Sequence, residues 1–361
     1  MKYFDDHPII KRIFCTIGIV IIILIILSGI VITYVWNKLG KIDYADQHEV
    51  SADVTLQTEE YSFIEPTTDH DTAVTESEIE GTIDALPESA DSSEVIEEVI
   101  NILLIGTDER TQDYIENARS DSMILVSINK ELHTVRLISL ERGIGVPVLE
   151  GHLKGQYDLL THIYRWGGAD LLLETVRQCF ELDVDHYVHL NFASFEKIVD
   201  AVGGIDMYLE SREVPEVQGW PEDSGKYGNA GTYRLNGRMA LNYARLRSID
   251  SDWKRVVRQR KVILAVVEEL KDASLLELND LTNVVLPLIE TNLSQLEVAE
   301  LMLYGPTFLN SEFDHITVPK KGTYSGYVKN GQGFAVDFEL NNDLIRRFLY
   351  EGVSSEDLLA E

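Results

Sequence analysis

Cysteine is nearly missing from this chain: Cys15 and Cys179 are the only two in 361 residues. Two thiols cannot form the dense disulfide framework of a small secreted domain, and neither has the His and Cys neighbours of a zinc site. Basic residues are scarce as well, 31 Lys and Arg against 61 Asp and Glu, for a formal charge of −30. That balance lacks the basic footprint of a general nucleic-acid binder, so no nucleic-acid partner is expected. The chain has no His-Glu-x-x-His, no Walker loop and no Gly-x-Gly-x-x-Gly, and Gly143-Ile-Gly145 alone reads as a turn. Zinc-protease, P-loop and dinucleotide chemistries therefore lose their usual signatures. No internal repeat of roughly 20–50 residues is present. Apolar residues, by contrast, are plentiful: 45% hydrophobic with 9% aromatic excludes a wholly disordered chain.

Charge is also missing locally. From Ile13 to Val35 there are 23 residues without a charged side chain. As a helix this stretch is roughly 35 Å long, enough to cross a hydrocarbon core of about 30 Å. No small-residue cleavage site follows it, and Tyr34 and Trp36 stand where interfacial aromatics are expected. The reading is a short cytoplasmic segment at 1–12 and a transmembrane helix at 13–36. Lys2, Lys11 and Arg12 precede the span while Lys38 and Lys41 follow it. The positive-inside rule then puts the amino terminus in the cytoplasm and the rest outside, a single-pass protein of the cell membrane with the lipid bilayer as a partner.

Residues 41–100 hold 18 Asp and Glu against one basic residue, Lys41. Such a stretch cannot bury enough apolar surface to offset its conformational entropy. It predicts an acidic disordered linker over 37–95, a self-repelling spacer rather than a binding arm for a cationic partner.

From residue 96 to 361 the composition is that of a folded domain. Apolar runs of strand length lie at Asn101–Gly106, Met123–Ile128, Val135–Leu140, His186–Phe192 and Ile205–Leu209, with a late one at His315–Pro319. Helical patterns cover Asp170–Phe180, Ser194–Val202, Gly237–Arg245, Trp253–Leu270, Ser294–Tyr304 and Asn341–Tyr350. This alternation predicts an α/β fold, a mixed central sheet with helices on both faces.

Seven basic residues crowd positions 245 to 261, in a domain that is otherwise acidic. On a helix starting near Asp252, Arg255, Arg258 and Gln259 can share a face. Guanidinium forks suit phosphate oxygens, and several converging on one pocket favour a pyrophosphate. The first strand ends in Gly106-Thr107-Asp108, and Arg119-Ser120-Asp121-Ser122 opens the second. A connecting loop brings Asp108 and Asp121 to one sheet edge, and two carboxylates beside a phosphate are what Mg²⁺ usually takes. The third strand ends at Ser139-Leu-Glu-Arg142, adding another guanidinium.

Taken together, these residues resemble the LytR-CpsA-Psr family of cell-envelope glycopolymer transferases. The resemblance covers about Asn101 to Ala265, with a weaker tail after Asp314. It is carried by Leu104–Asp108, Arg119–Ser122, Ser139–Arg142, Leu160–Gly168, Asp185–Phe192, Ile198–Gly204, Leu235–Arg247 and Asp252–Gln259. It implies that Asp108 and Asp121 hold Mg²⁺. It implies that Arg119, Arg142, Arg245 and Arg255 line a pyrophosphate site, with Arg247, Arg258 and Gln259 in or beside it. It further implies phosphotransfer of a glycopolymer from a polyprenyl-pyrophosphate-linked glycan to a peptidoglycan hydroxyl. A pyrophosphatase acting on the same lipid, or a non-catalytic envelope-binding or regulatory protein, are the alternatives. The chain departs from the pattern at Gly143, where the family typically has Asp, and at Glu141, where Pro is common. Strand alternation would turn Glu141 to the face opposite Arg142, so Glu141 is not expected to replace the missing carboxylate.

Overall fold

A computed structural model describes residues 36–45, 99–108, 118–151, 153–219, 228–328 and 331–360. The expected transmembrane helix lies outside these residues apart from Trp36, as does nearly all of the expected linker. The described residues divide between two units. One draws on 1–46, 193–243 and 262–309, and the other on 47–192, 244–261 and 310–361. The second unit contains every candidate site residue.

Its core is a sheet whose strands are β1 (Val99–Thr107), β2 (Ser120–Asn129), β3 (Thr134–Leu140), β4 (His186–Asn191) and β5 (Glu312–Val318). The spatial order is β4-β1-β2-β3-β5. The central three strands run antiparallel, while β4 joins β1 and β5 joins β3 in parallel. The sheet is therefore mixed, as expected. Leu103, Leu125, Leu137 and Ile138 in its middle are buried, consistent with strands covered on both faces.

Two residues of β3 show what covers each face. Arg136 donates to the Val353 carbonyl and lies over the Phe348 ring of α3 (Phe338–Tyr350). Ser139, three residues on and hence on the other side of the strand, accepts from Arg260 of α2 (Asp252–Lys271). Helices thus flank both faces. The remaining helix of importance, α1 (Leu160–Phe180), is broken at Gly167 and Gly168. Gly168 has φ of +68°, a conformation that favours glycine and separates an amino-terminal turn, Leu160–Trp166, from the core helix. That first turn is tied to the start of β2, for Thr161 Oγ1 donates to the Ser120 carbonyl and Ser120 Oγ donates to the Thr161 carbonyl.

In the first unit, residues 37–45 are not linker. Leu39 is fully buried, and the Lys38 ammonium donates to the carbonyl and side chain of Asn279 and to Thr282 Oγ1. Asp43–Tyr44 then pairs in parallel with Glu290–Thr291. Acidic composition predicted a linker from residue 37, but Leu39, Ile42 and the Lys38 amine dock its first few residues. The strand Ile205–Leu209 forms a hairpin with Gly231–Leu235.

Arg260 deserves a stability test because it is buried and bonded to both β3 and β5, through Ser139 Oγ at 3.2 Å and Thr317 Oγ1 at 3.1 Å. Burial lowers its pKa to about 10. Arg260→Ala should cost about 2–4 kcal/mol in urea denaturation, whereas Arg260→Met should cost clearly less because no buried charge remains. Equal losses would show that packing volume, not charge, sets the effect.

Candidate functional site

Asp121 sits at a defect in the sheet. The β1–β2 register pairs Gly106 with Ser122 and Thr107 with Ser120, leaving Asp121 as the extra residue of a bulge. Bulges re-aim side chains at strand ends. Here the carboxylate meets α2, whose residues Arg255 and Gln259 are one turn apart. Arg255 Nη1 lies 3.5 Å from Asp121 Oδ1, and Gln259 Nε2 donates to the Asp121 carbonyl at 3.0 Å.

Two further arginines converge on the same oxygen. Arg142, just past the end of β3, donates from Nη1 to Asp121 Oδ1 at 3.0 Å, and Arg247 Nη2 lies 3.6 Å away. Asp252, in the first turn of α2, closes the cluster. It accepts from Arg142 Nη2 at 3.0 Å and pairs with Arg247 Nε at 3.1 Å. Three guanidiniums thus face two carboxylates, an excess of one positive charge in this pairing. Burial raises the Asp252 carboxyl, but Arg142, Arg255 and Arg247 outweigh it and hold the pKa below the ordinary value.

Arg255 is the most constrained member, at 1% exposure. Burial first, and then the neighbouring Arg142, lowers its pKa to about 10, against the pull of Asp121. Its Nε and Nη2 have no hydrogen-bond partner. Nε lies 3.9 Å from Asp252 Oδ1, itself without a hydrogen bond, and both nitrogens are closed to solvent, so Arg255 lends the cluster its charge while Arg142 and Arg247 keep some surface open.

Glu141 corrects the expectation from strand alternation. Strand β3 ends at Leu140, so the alternation rule no longer applies one residue later. Glu141 is buried, and its Oε2 accepts from the Arg142 backbone N–H. Burial raises its pKa while Arg255 and that hydrogen bond pull the other way, which places its charge in the field of the arginine cluster.

The other sequence candidates fall at varying distances from this centre. Asp108 caps the β1–β2 connection, accepting the Arg119 N–H on Oδ1 at 2.8 Å. Arg119 itself is exposed. Arg245 is exposed too, and its guanidinium lies 4.5 Å from the Phe192 ring centroid. Arg258 turns away from Asp121: it is paired with Asp250 and donates to the Leu246 carbonyl, clamping the segment before α2. A helix advances about 100° per residue, so Gln259 nearly eclipses Arg255 whereas Arg258 lies off to one side. His162 bonds Asp158 Oδ1 at 2.8 Å, and Trp166 donates to the other oxygen, making a structural knot at the start of α1.

The same carboxylates are the candidates for metal binding. Among the described residues no group of three or more His, Cys, Asp or Glu could hold a metal ion. Mg²⁺ needs fewer, since it shares one or two carboxylates with phosphates and waters. All three guanidiniums meet Asp121 through Oδ1, and Asp108 is bonded through Oδ1. Oδ2 of each carboxylate has no hydrogen bond or ion pair among the described residues, which leaves a hard donor atom on each for a cation such as Mg²⁺.

Sequence reasoning missed Asp252 as the counter-charge and Glu141 as a buried neighbour. Asp252 carried one signal, a carboxylate opening a helix three residues before an arginine. Its bond to Arg142, 110 residues earlier in the chain, had none.

The LytR_cpsA_psr family model matches residues 66–343. The polyisoprenyl-teichoic acid–peptidoglycan teichoic acid transferase TagT of Bacillus subtilis is 31% identical over 252 residues, 68% of this chain and 76% of its own. TagU of Bacillus cereus, described by the same transferase name, is 30% identical over 62% of this chain and 70% of its own. A solved structure described as TagT bound to LI-WTA superposes with a TM-score of 0.56 at 26% identity, covering 71% of this chain and 92% of that one.

The depressed Asp252 carboxyl yields a pH test. Its contribution to stability is present above the ordinary value of about 3.9 and is lost as pH falls through the lower, folded value. Asp252→Asn should therefore lower the urea midpoint at pH 7 and converge on wild type near pH 2. A difference that persists unchanged into acid would contradict the ion-pair assignment.

Proposed function

The chain belongs to the LytR_cpsA_psr family, and from that premise we propose that it is a membrane-anchored phosphotransferase. It moves a glycopolymer from a polyprenyl-pyrophosphate carrier onto a peptidoglycan hydroxyl. The reading rests above all on the convergence of Arg142, Arg247 and buried Arg255 on one oxygen of Asp121. A pyrophosphate would meet the open sides of Arg142 and Arg247, with the charge of Arg255 close by.

In this scheme the acceptor oxygen attacks the phosphorus that bears the glycan. A new P–O bond forms, the bond to the bridging oxygen breaks, and polyprenyl phosphate leaves. The hydroxyl proton passes to solvent or to a base that we do not assign. The chain's part is positioning and charge neutralisation. Arg142 and Arg255 stabilise charge on the phosphate oxygens, with Arg247 in the same cluster. Arg119 and Arg245, both exposed, would meet the substrate's outer charges. Asp252 and Gln259 hold the arginines and the bulge at Asp121 in place. Asp108 and Asp121 would hold Mg²⁺, which supplies Lewis-acid neutralisation of phosphate charge.

The anchor at 13–36 fits a carrier that stays in the bilayer, with the amino terminus cytoplasmic and the folded part outside. The names of the relatives, which describe transfer of teichoic acid to peptidoglycan, support the same class of donor and acceptor.

Full-length protein in detergent, given a polyprenyl-pyrophosphate oligosaccharide, a peptidoglycan acceptor and Mg²⁺, should form linked product. Free phosphorylated sugar instead would indicate hydrolysis, and binding without turnover would remove both enzymatic readings. Arg255→Ala should lower turnover by about 10²–10³-fold, the scale of losing one preorganised charge-stabilising group. Asp108→Ala should shift the Mg²⁺ titration to higher concentration, and an unchanged titration would remove Asp108 from the metal site.

A further inference from the structure

A row of aromatic rings adjoins the arginine cluster and has no part in the chemistry above. Trp253, the residue after Asp252, stacks on Tyr324 with centroids 5.4 Å apart. Tyr324 meets Phe334 at 5.6 Å, and Phe334 stacks on Tyr327 at 6.4 Å with planes 23° apart. The row is held by backbone bonds. The Phe334 N–H donates to the Gly143 carbonyl at 2.8 Å, the Gly145 N–H donates to the Phe334 carbonyl at 3.0 Å, and Tyr324 pairs with Val336.

Gly143 makes room for this arrangement. A Cβ at that position would stand 2.7 Å from Cε2 of Phe334, too close for any side chain while the ring stays where it is. The Asp expected at this place would exclude the ring, so the departure at Gly143 and the aromatic row are one structural fact.

At the outer end Tyr327 is 78% exposed although one of its faces rests on Phe334. An oriented aromatic face left in water is a ready contact surface. We infer that the row is a carbohydrate subsite, taking the first sugars of the glycan joined to the pyrophosphate. This rests on the pyrophosphate reading of the arginine cluster. The C–H face of a sugar ring is attracted to the negative face of an aromatic ring, while its hydroxyls keep their water at the rim. Rigid Tyr and Trp side chains provide such area with little entropy to lose.

Continuity selects the occupant. The row adjoins the cluster along the chain at two places, Gly143 next to Arg142 and Trp253 next to Asp252, so a glycan bonded to an anion held there begins close to the rings. An isoprenoid tail fits poorly, because on a ring as exposed as Tyr327 most of its surface would stay in water.

The test uses full-length protein in detergent and compares Tyr327→Ala with wild type on three probes. These are a short-chain polyprenyl pyrophosphate, the same lipid bearing a disaccharide, and a soluble peptidoglycan fragment. Tyr327→Ala should bind the disaccharide lipid about tenfold more weakly and the bare lipid equally well, with Tyr327→Phe like wild type. Equal loss on both lipids, loss on neither, or loss confined to the peptidoglycan fragment would each overturn the subsite. Wild-type protein that fails to bind the bare lipid would instead remove the pyrophosphate site, and the subsite with it. Tyr327 is exposed, so an unchanged melting temperature is expected and separates binding from folding.

Discussion

A guanidinium at 1% exposure cannot be left without counter-charge, and the pairing of Arg255 with Asp121 answers that demand. Moving a cation out of water costs several kcal/mol unless partners compensate, so whatever holds Asp121 in place also holds Arg255. The bulge between β1 and β2 sets the carboxylate, and the Gln259 bond to the Asp121 carbonyl fastens α2 to the same residue. Arg142 then bridges Asp121 to Asp252 at the start of that helix. Compensation is incomplete, for two nitrogens of Arg255 and one oxygen of Asp252 have no hydrogen bond.

The same local pairing makes the proposed anionic ligand compatible with a strongly acidic chain. Of the −30 total, residues 41–100 carry 18 acidic side chains and one basic one, or −17. Ionic screening confines such charge to about 10 Å at ordinary salt, whereas paired groups in a half-buried cluster feel mainly one another. Local excess over a few ångströms decides binding, and the net charge of the chain does not.

Gly143 joins two features that have nothing in common as sequence. It follows the strand-end arginine, and its missing side chain leaves space for Phe334 from a hairpin near the carboxyl end. Glu141, buried two residues earlier, lies in the field of Arg255. The departure from the family pattern at Gly143 therefore removes a carboxylate and leaves the space that Phe334 fills.

Strand and helix positions were largely legible because burial imposes periods of 2 and 3.6 on any sequence that folds this way. Gly237–Arg245 and Ile205–Leu209 came out as read, while α1 began ten residues earlier than its apolar pattern because Gly167 and Gly168 break the period. Among the site residues, Asp121, Arg142, Arg255 and Gln259 could be picked out because each closes a strand or faces one side of a helix. Arg258 looked equivalent, yet its 60° offset from Arg255 gave it to Asp250. By itself the sequence determined the elements, the family and the crowd of arginines, since those depend on near neighbours in the chain. Only the tertiary structure decided which arginine is buried, that Asp252 balances Arg142, and that Phe334 fills the space at Gly143. Those contacts join segments about a hundred or more residues apart, and no local period records them.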